Sequence, residues 1–183
     1  AVNFVKNTCG VQSINRMDDA ETPLQKHVRQ TMFRYFNLYA LGDTSASPMP
    51  PIGGFNPPDD MQQIAAWAKA LMRYPVGTCD AMSCLALVFL AEKKNTFPVT
   101  QMAFRGDADH VFVVLGTGID RSASWRTWDS DTAAICDPWA DYAGPCTPTS
   151  LQTWMQKLEN ICEPPFEPED VFSNAYSVSS RSA

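Results

Sequence analysis

The chain has no concentration of positive charge: 14 Lys and Arg against 20 Asp and Glu leave a net charge of −6 over 183 residues, with a pI of about 4.8. A phosphate backbone is held by clustered Lys and Arg, so nucleic acid is excluded as a partner. Long apolar runs are missing too. The longest, residues 85–91, falls well short of the roughly 20 residues that a helical bilayer crossing needs, and no membrane span is expected. No Met precedes Ala1 and no charged-then-apolar leader opens the chain, which points to a processed chain or a piece of a longer one. CxxC and HxxxH spacings are absent. With them go the common zinc ligand sets, and neither a metal nor a cofactor is expected. Cysteines number six, Cys9, Cys79, Cys84, Cys136, Cys146 and Cys162, too few for a disulfide scaffold at this length. If Cys79 stays a thiol, they cannot all pair, and whether Cys146 joins Cys162 stays open.

What is present fits a single soluble domain: 45% of residues are hydrophobic, enough to bury a core, and the chain reads as a monomer. The domain is expected over 1–162, with a helical layer in 1–74, a catalytic core in 75–142 and a last helix over 150–162. Residues 163–183, rich in Pro, acids and Ser, read as a mobile tail. Residues 1–20 are polar and weakly patterned. Thr22 and Pro23 then open a helix over 22–41, with Leu24, Val28, Met32, Phe36 and Tyr39 as its inner stripe. A Pro/Gly-rich loop follows at 45–58, SASPMPPIGGFNPP.

Asp59 and Asp60 cap a helix whose Met61, Ile64, Ala65, Ala68, Leu71 and Met72 keep i, i+3, i+4, i+7 spacing. The next helix, over 79–94, is apolar nearly all round from Leu85 to Leu90 and belongs in the middle of the core. Short segments at 99–104, 110–115 and 133–136 have β-branched and aromatic content between turns, and should pair as an antiparallel sheet. VFVVL at 111–115 is apolar on both faces, so its strand is central, covered by the 79–94 helix on one side and by another layer on the other.

The chemistry-bearing residues sit at the ends of these elements. Cys79 falls in the first turn of the buried helix, after Gly77-Thr78, where backbone N–H groups and the helix dipole favour a thiolate. The same N–H groups, including that of Cys79, point where an oxyanion would form. Cys84, inside the apolar part of the helix, reads as packing. Only two histidines exist, His27 and His110. His27 lies in an amphipathic helix, whereas His110 stands at the entry of the central strand, a rigid place from which to face a cleft. Asp137 ends the third strand before Pro138, where its carboxylate can accept from the imidazole Nδ1–H, although Asp-Pro is also an ordinary strand-ending turn. Thiol, imidazole and carboxylate in Cys79, His110, Asp137 order meet the roles of a cysteine triad.

GTCDAMSCLALVFL, then DHVFVVLG, then AAICDPWADY resembles the papain-like domain shared by bacterial toxins and effectors, including the deamidase domain of the Pasteurella multocida-type dermonecrotic toxins. Transglutaminase-like hydrolases carry the same order. The resemblance covers residues 74–142. It implies an α+β papain-like fold, with a core helix carrying Cys79 packed on an antiparallel sheet carrying His110 and Asp137, and attack on amides through a thioester. It also implies secretion by a bacterium and action on a host protein in the host cytosol, with glutamine deamidation first, peptide cleavage second and transamidation third. One feature of the plant proteases is missing: residues 73–78, just upstream of Cys79, offer no glutamine or other amide side chain to complete an oxyanion hole. Gln101 is the candidate for that donor, and reads equally as a solvent-facing strand residue. The rival class is a degenerate papain-fold binding module, or an adaptor docking through the 45–58 loop.

Overall fold

The computed structural model describes residues 1–13, 22–25, 27–28, 30–32, 35, 61–93, 97–104, 110–120, 122–162 and 172–178. The 45–58 loop and the capping pair Asp59 and Asp60 lie outside them. The fold is mixed α+β. Strands β1 (Gln12–Ser13) and β2 (Val76–Gly77) form a small parallel pair. Strands β3 (Val99–Phe104), β4 (Val111–Gly116), β5 (Ser130–Asp137), β6 (Tyr142–Cys146) and β7 (Phe172–Val178) form an antiparallel sheet in the order β6-β5-β4-β3-β7. Helices α1 (Met61–Arg73), α2 (Cys79–Glu92) and α3 (Pro148–Ile161) complete the fold.

The sheet is covered on both faces, and strand alternation says by what. Gln101 of β3 donates to Ser83 Oγ at 2.6 Å and approaches Cys84 Sγ at 3.4 Å, both on α2. Its partner Val113 on β4, and Cys136 opposite Val113 on β5, share that face because directly paired residues project the same way. On the other face Phe104 and Phe112 meet Trp154 of α3, with ring centroids 5.5 and 4.6 Å apart. The second layer that VFVVL requires is therefore α3. Burial on both sides explains why β3 is buried along its whole length.

α1 packs on the outer side of α2, as the apolar-all-round pattern of α2 demands. Met82, Cys84, Ala86 and Leu87 are fully buried. Gly77 lets β2 and the start of α2 close on α1: a Cβ there would lie 2.9 Å from Leu71 Cδ1 and 3.0 Å from the Ala81 Cβ. Among the described residues, no helix is long and apolar enough to cross a membrane.

Two expectations are corrected, and two parts of the chain take places that no expectation covered. Residues 1–13 belong to the packed structure: Val5 and Val11 are buried, Phe4 stacks on Phe89 of α2 with centroids 4.2 Å apart, and β1 pairs with the strand that leads into Cys79. Thr22 does cap the next helical segment, exchanging bonds with Gln25, but two of its stripe residues face outward, Leu24 at 71% and Val28 at 47% exposure. Periodicity states which residues share a face and not what covers it; Met32 is partly buried, and Phe36 and Tyr39 lie outside the described residues. β6 lies where no element was expected, and it is the edge strand of the sheet, where the N–H that Pro145 lacks is not needed. The expected mobile tail supplies β7, which pairs with β3 from Val99↔Val178 to Phe104↔Phe172. Composition marked that segment as polar, and a long-range pairing overrides composition.

Candidate active site

Cys79 is the first residue of α2. Thr78 before it is extended, φ −92° and ψ 179°, and caps through its backbone alone, with no side-chain capping bond. The helical ladder opens with Met82 N–H to the Thr78 carbonyl at 3.1 Å. The thiol therefore sits at the positive end of a buried helix, and Cys79 is only 5% exposed.

His110 stands just outside β4, but its carbonyl accepts from Phe104 N–H at 3.0 Å, so the β3–β4 ladder holds its backbone. Its ring lies beside Phe104, Phe112 and Trp139, the last with centroids 5.1 Å away. Nε2 is 2.7 Å from Asp137 Oδ2. Asp137 closes β5 and accepts two further bonds: Trp154 Nε1–H reaches Oδ2 at 2.8 Å, and Ala140 N–H reaches Oδ1 at 3.1 Å. The two readings of Asp137 thus coexist, since one oxygen holds the turn that begins at Pro138 and the other holds the histidine. Burial is complete, 1% exposure for His110 and 0% for Asp137. A carboxylate is stable in such a place only because three donors converge on it.

The imidazole atom bound to Asp137 is Nε2 and not the expected Nδ1. With the proton on Nε2 facing the carboxylate, Nδ1 carries the lone pair, so Nδ1 is the basic atom of the ring. The structure brings His110 and Asp137 together on the α3 face of the sheet, where Ile135 and Phe112 also project. Cys79 belongs to the helix on the opposite face.

Gln101 is not solvent-facing, as it is 4% exposed. Its amide nitrogen faces Ser83 and Cys84, so both amide hydrogens are used between β3 and α2, which removes Gln101 as an oxyanion donor. Three tryptophans on either side of β5, Trp125, Trp128 and Trp139, are each 3–4% exposed. Trp128 donates to the Asp120 carbonyl at 2.9 Å, and Trp139 lies against His110. The bond from Trp154 to Asp137 was not foreseen from the sequence. The available signal was general: a buried indole N–H needs an acceptor.

No disulfide joins any of the cysteines. Burial pushes the Cys84 thiol far up, and Asp80 adds to that shift. Cys136 and Cys146 are pushed up to about 12 chiefly by burial, as packing thiols should be. No protein-family model, curated protein or solved structure matches the chain.

Proposed function

We propose that this chain is a papain-like cysteine hydrolase that deamidates a glutamine side chain of a host protein after secretion by a bacterium. The observation that carries this reading is the buried His110–Asp137 pair, whose carboxylate is held by Trp154 and Ala140 so that the imidazole presents a basic Nδ1. Cys79 at the start of α2 supports it further, because a helix N-terminus favours a thiolate and an oxyanion alike.

In the cycle, His110 Nδ1 takes the Cys79 proton and Sγ attacks the carboxamide carbon. The tetrahedral intermediate collapses as the imidazolium returns that proton to the leaving nitrogen, and ammonia departs. Water, deprotonated by Nδ1, then cleaves the thioester and leaves glutamate. Thiol and imidazole belong to elements on opposite faces of the sheet, so the meeting place this cycle requires is the rim at the entry to β4, where His110 stands outside the strand. Peptide cleavage uses the same groups. Deamidation ranks first because it needs only one side chain inserted beside the pair.

A second reading has its own observation. A His–Asp–Trp cluster this fully buried can serve solely to clamp α3 on the sheet, in a binding module without catalysis. The test is to incubate candidate host proteins with wild type and with Cys79→Ala, then follow Gln-to-Glu conversion by mass spectrometry together with released ammonia. Conversion by wild type alone, with similar melting of the two proteins, supports the deamidase. New N-termini without conversion assign a protease, and activity retained in folded Cys79→Ala removes Cys79 as the nucleophile. Inactivity of the wild type across substrates leaves the clamp.

A further inference from the structure

We infer that Gln101 is a positioning residue: acting through Ser83, it pins the first turn of α2 to β3 and so sets where the Cys79 thiol stands. Its part in catalysis rests on the hydrolase reading; its hold on the turn does not. Gln101 donates to Ser83 Oγ at 2.6 Å, and the Ser83 hydroxyl donates to the Asp80 carbonyl at 2.7 Å. The order of donors is forced. Ser83 has one hydroxyl hydrogen and gives it to Asp80, so its oxygen can only accept from Gln101, and the amide must present its nitrogen there. That nitrogen also faces Cys84 Sγ at 3.4 Å. Ser83 and Cys84 are 0% exposed and Gln101 is 4% exposed, so bulk water does not replace a lost bond.

Ser83 is suited to carry this hold to the thiol. It lies four positions after Cys79, so the two share one face of α2, about 6 Å apart along the helix axis. Ladder geometry gives the Ser83 N–H to the Cys79 carbonyl. One serine thus joins Cys79 through its backbone, and Asp80 and Gln101 through its hydroxyl. At the other end of the link, Gln101 pairs with Val113 on β4 and Tyr176 on β7, which fix its backbone from both sides. Three residues on, about 10 Å along the same strand, Phe104 N–H bonds the His110 carbonyl at 3.0 Å. β3 therefore holds both the turn of the thiol and the backbone of the imidazole, the two groups that the proposed cycle must bring together.

Two variants break the link from either end. Gln101→Met keeps the length of the side chain and removes its amide, while Ser83 retains its bond to Asp80; Ser83→Ala removes the hydroxyl. Amide hydrogen exchange followed by NMR reads the turn directly and needs no substrate. In both variants the N–H groups of Met82 and Ser83 should exchange about tenfold faster relative to Leu87 N–H, deeper in the same helix, which is what about one hydrogen bond is worth. The double variant should show the same ratio as either single one, because the two side chains form one link. An unchanged ratio means that these bonds add only to overall stability, and it overturns the inference; so does a double variant whose ratio is the product of the two single ones. Should Gln101→Met not fold, Ser83→Ala, which removes one oxygen atom, decides by the same ratio. On a substrate that the wild type converts, kcat should fall about tenfold with KM unchanged, because a displaced thiol weakens the transition state and not binding. An altered ratio beside an unchanged kcat overturns the part in catalysis alone. A wild type that converts nothing ends the hydrolase reading, and the hold on the turn is still decided by the exchange ratio.

Discussion

Asp137→Asn removes a charge without removing volume, which makes it the sharpest probe of the cluster. The carboxylate accepts three bonds, from His110, Trp154 and Ala140. An asparagine offers one oxygen and one NH2. With the oxygen in the Oδ2 place, His110 and Trp154 are served and Ala140 N–H faces the NH2. Turned the other way, Ala140 is served and the Trp154 N–H faces it. Either way a buried donor is orphaned, at a cost of about 1–3 kcal/mol. The surviving bonds lose their charge assistance, for about 1 kcal/mol more. A loss of about 2–4 kcal/mol in a chain of this size lowers the melting temperature by about 5–15 °C. Asp137→Ala orphans all three donors and should fall further. Circular dichroism melts of both variants measure this, and kcat/KM should show Asp137→Asn less damaged than His110→Ala, since the Oδ2 orientation still holds the imidazole. An Asp137→Asn protein melting within about 1 °C of wild type would refute the convergence of donors on this carboxylate.

Other expectations follow from single contacts. Iodoacetamide at pH 6 should label Cys79 before Cys84, Cys136 and Cys146, whose thiols burial holds protonated; peptide mapping that finds a packing cysteine labelled first would refute the nucleophile assignment. Cys136 and Cys146 deprotonate at about 12 when folded and at about 8.5 when unfolded. Their contribution to stability is therefore complete below about pH 8.5 and declines from there toward pH 12, seen as a melting temperature that falls with alkaline pH. Gly77→Ala forces a methyl against Leu71 and Ala81 and should cost about 1–3 kcal/mol by chemical denaturation. Ending the chain at Cys162 removes β7 and bares the β3 edge; the product should melt lower and self-associate in light scattering, and a monodisperse product with unchanged melting would contradict the pairing.

The elements that a short window can define were legible in the sequence. The helices from Met61, from Cys79 and over 150–161 were marked by period and by flanking caps, and β3 and β4 by apolar runs between turns, because those signals arise from neighbours within one element. Cys79 at a helix start, His110 at a strand entry and Asp137 at a strand end were legible for the same reason. Contacts between distant parts of the chain decided the rest. Nothing near Phe172 shows that it pairs with Phe104, or that Ser13 lies beside Gly77. The choice of Nε2 over Nδ1, the loss of Gln101 to Ser83 and Cys84, and the bond from Trp154 to Asp137 all depend on which sheet face each side chain takes. That face is settled only when α2 and α3 pack on opposite sides, since pairing and burial are properties of the assembled layers and not of any one segment.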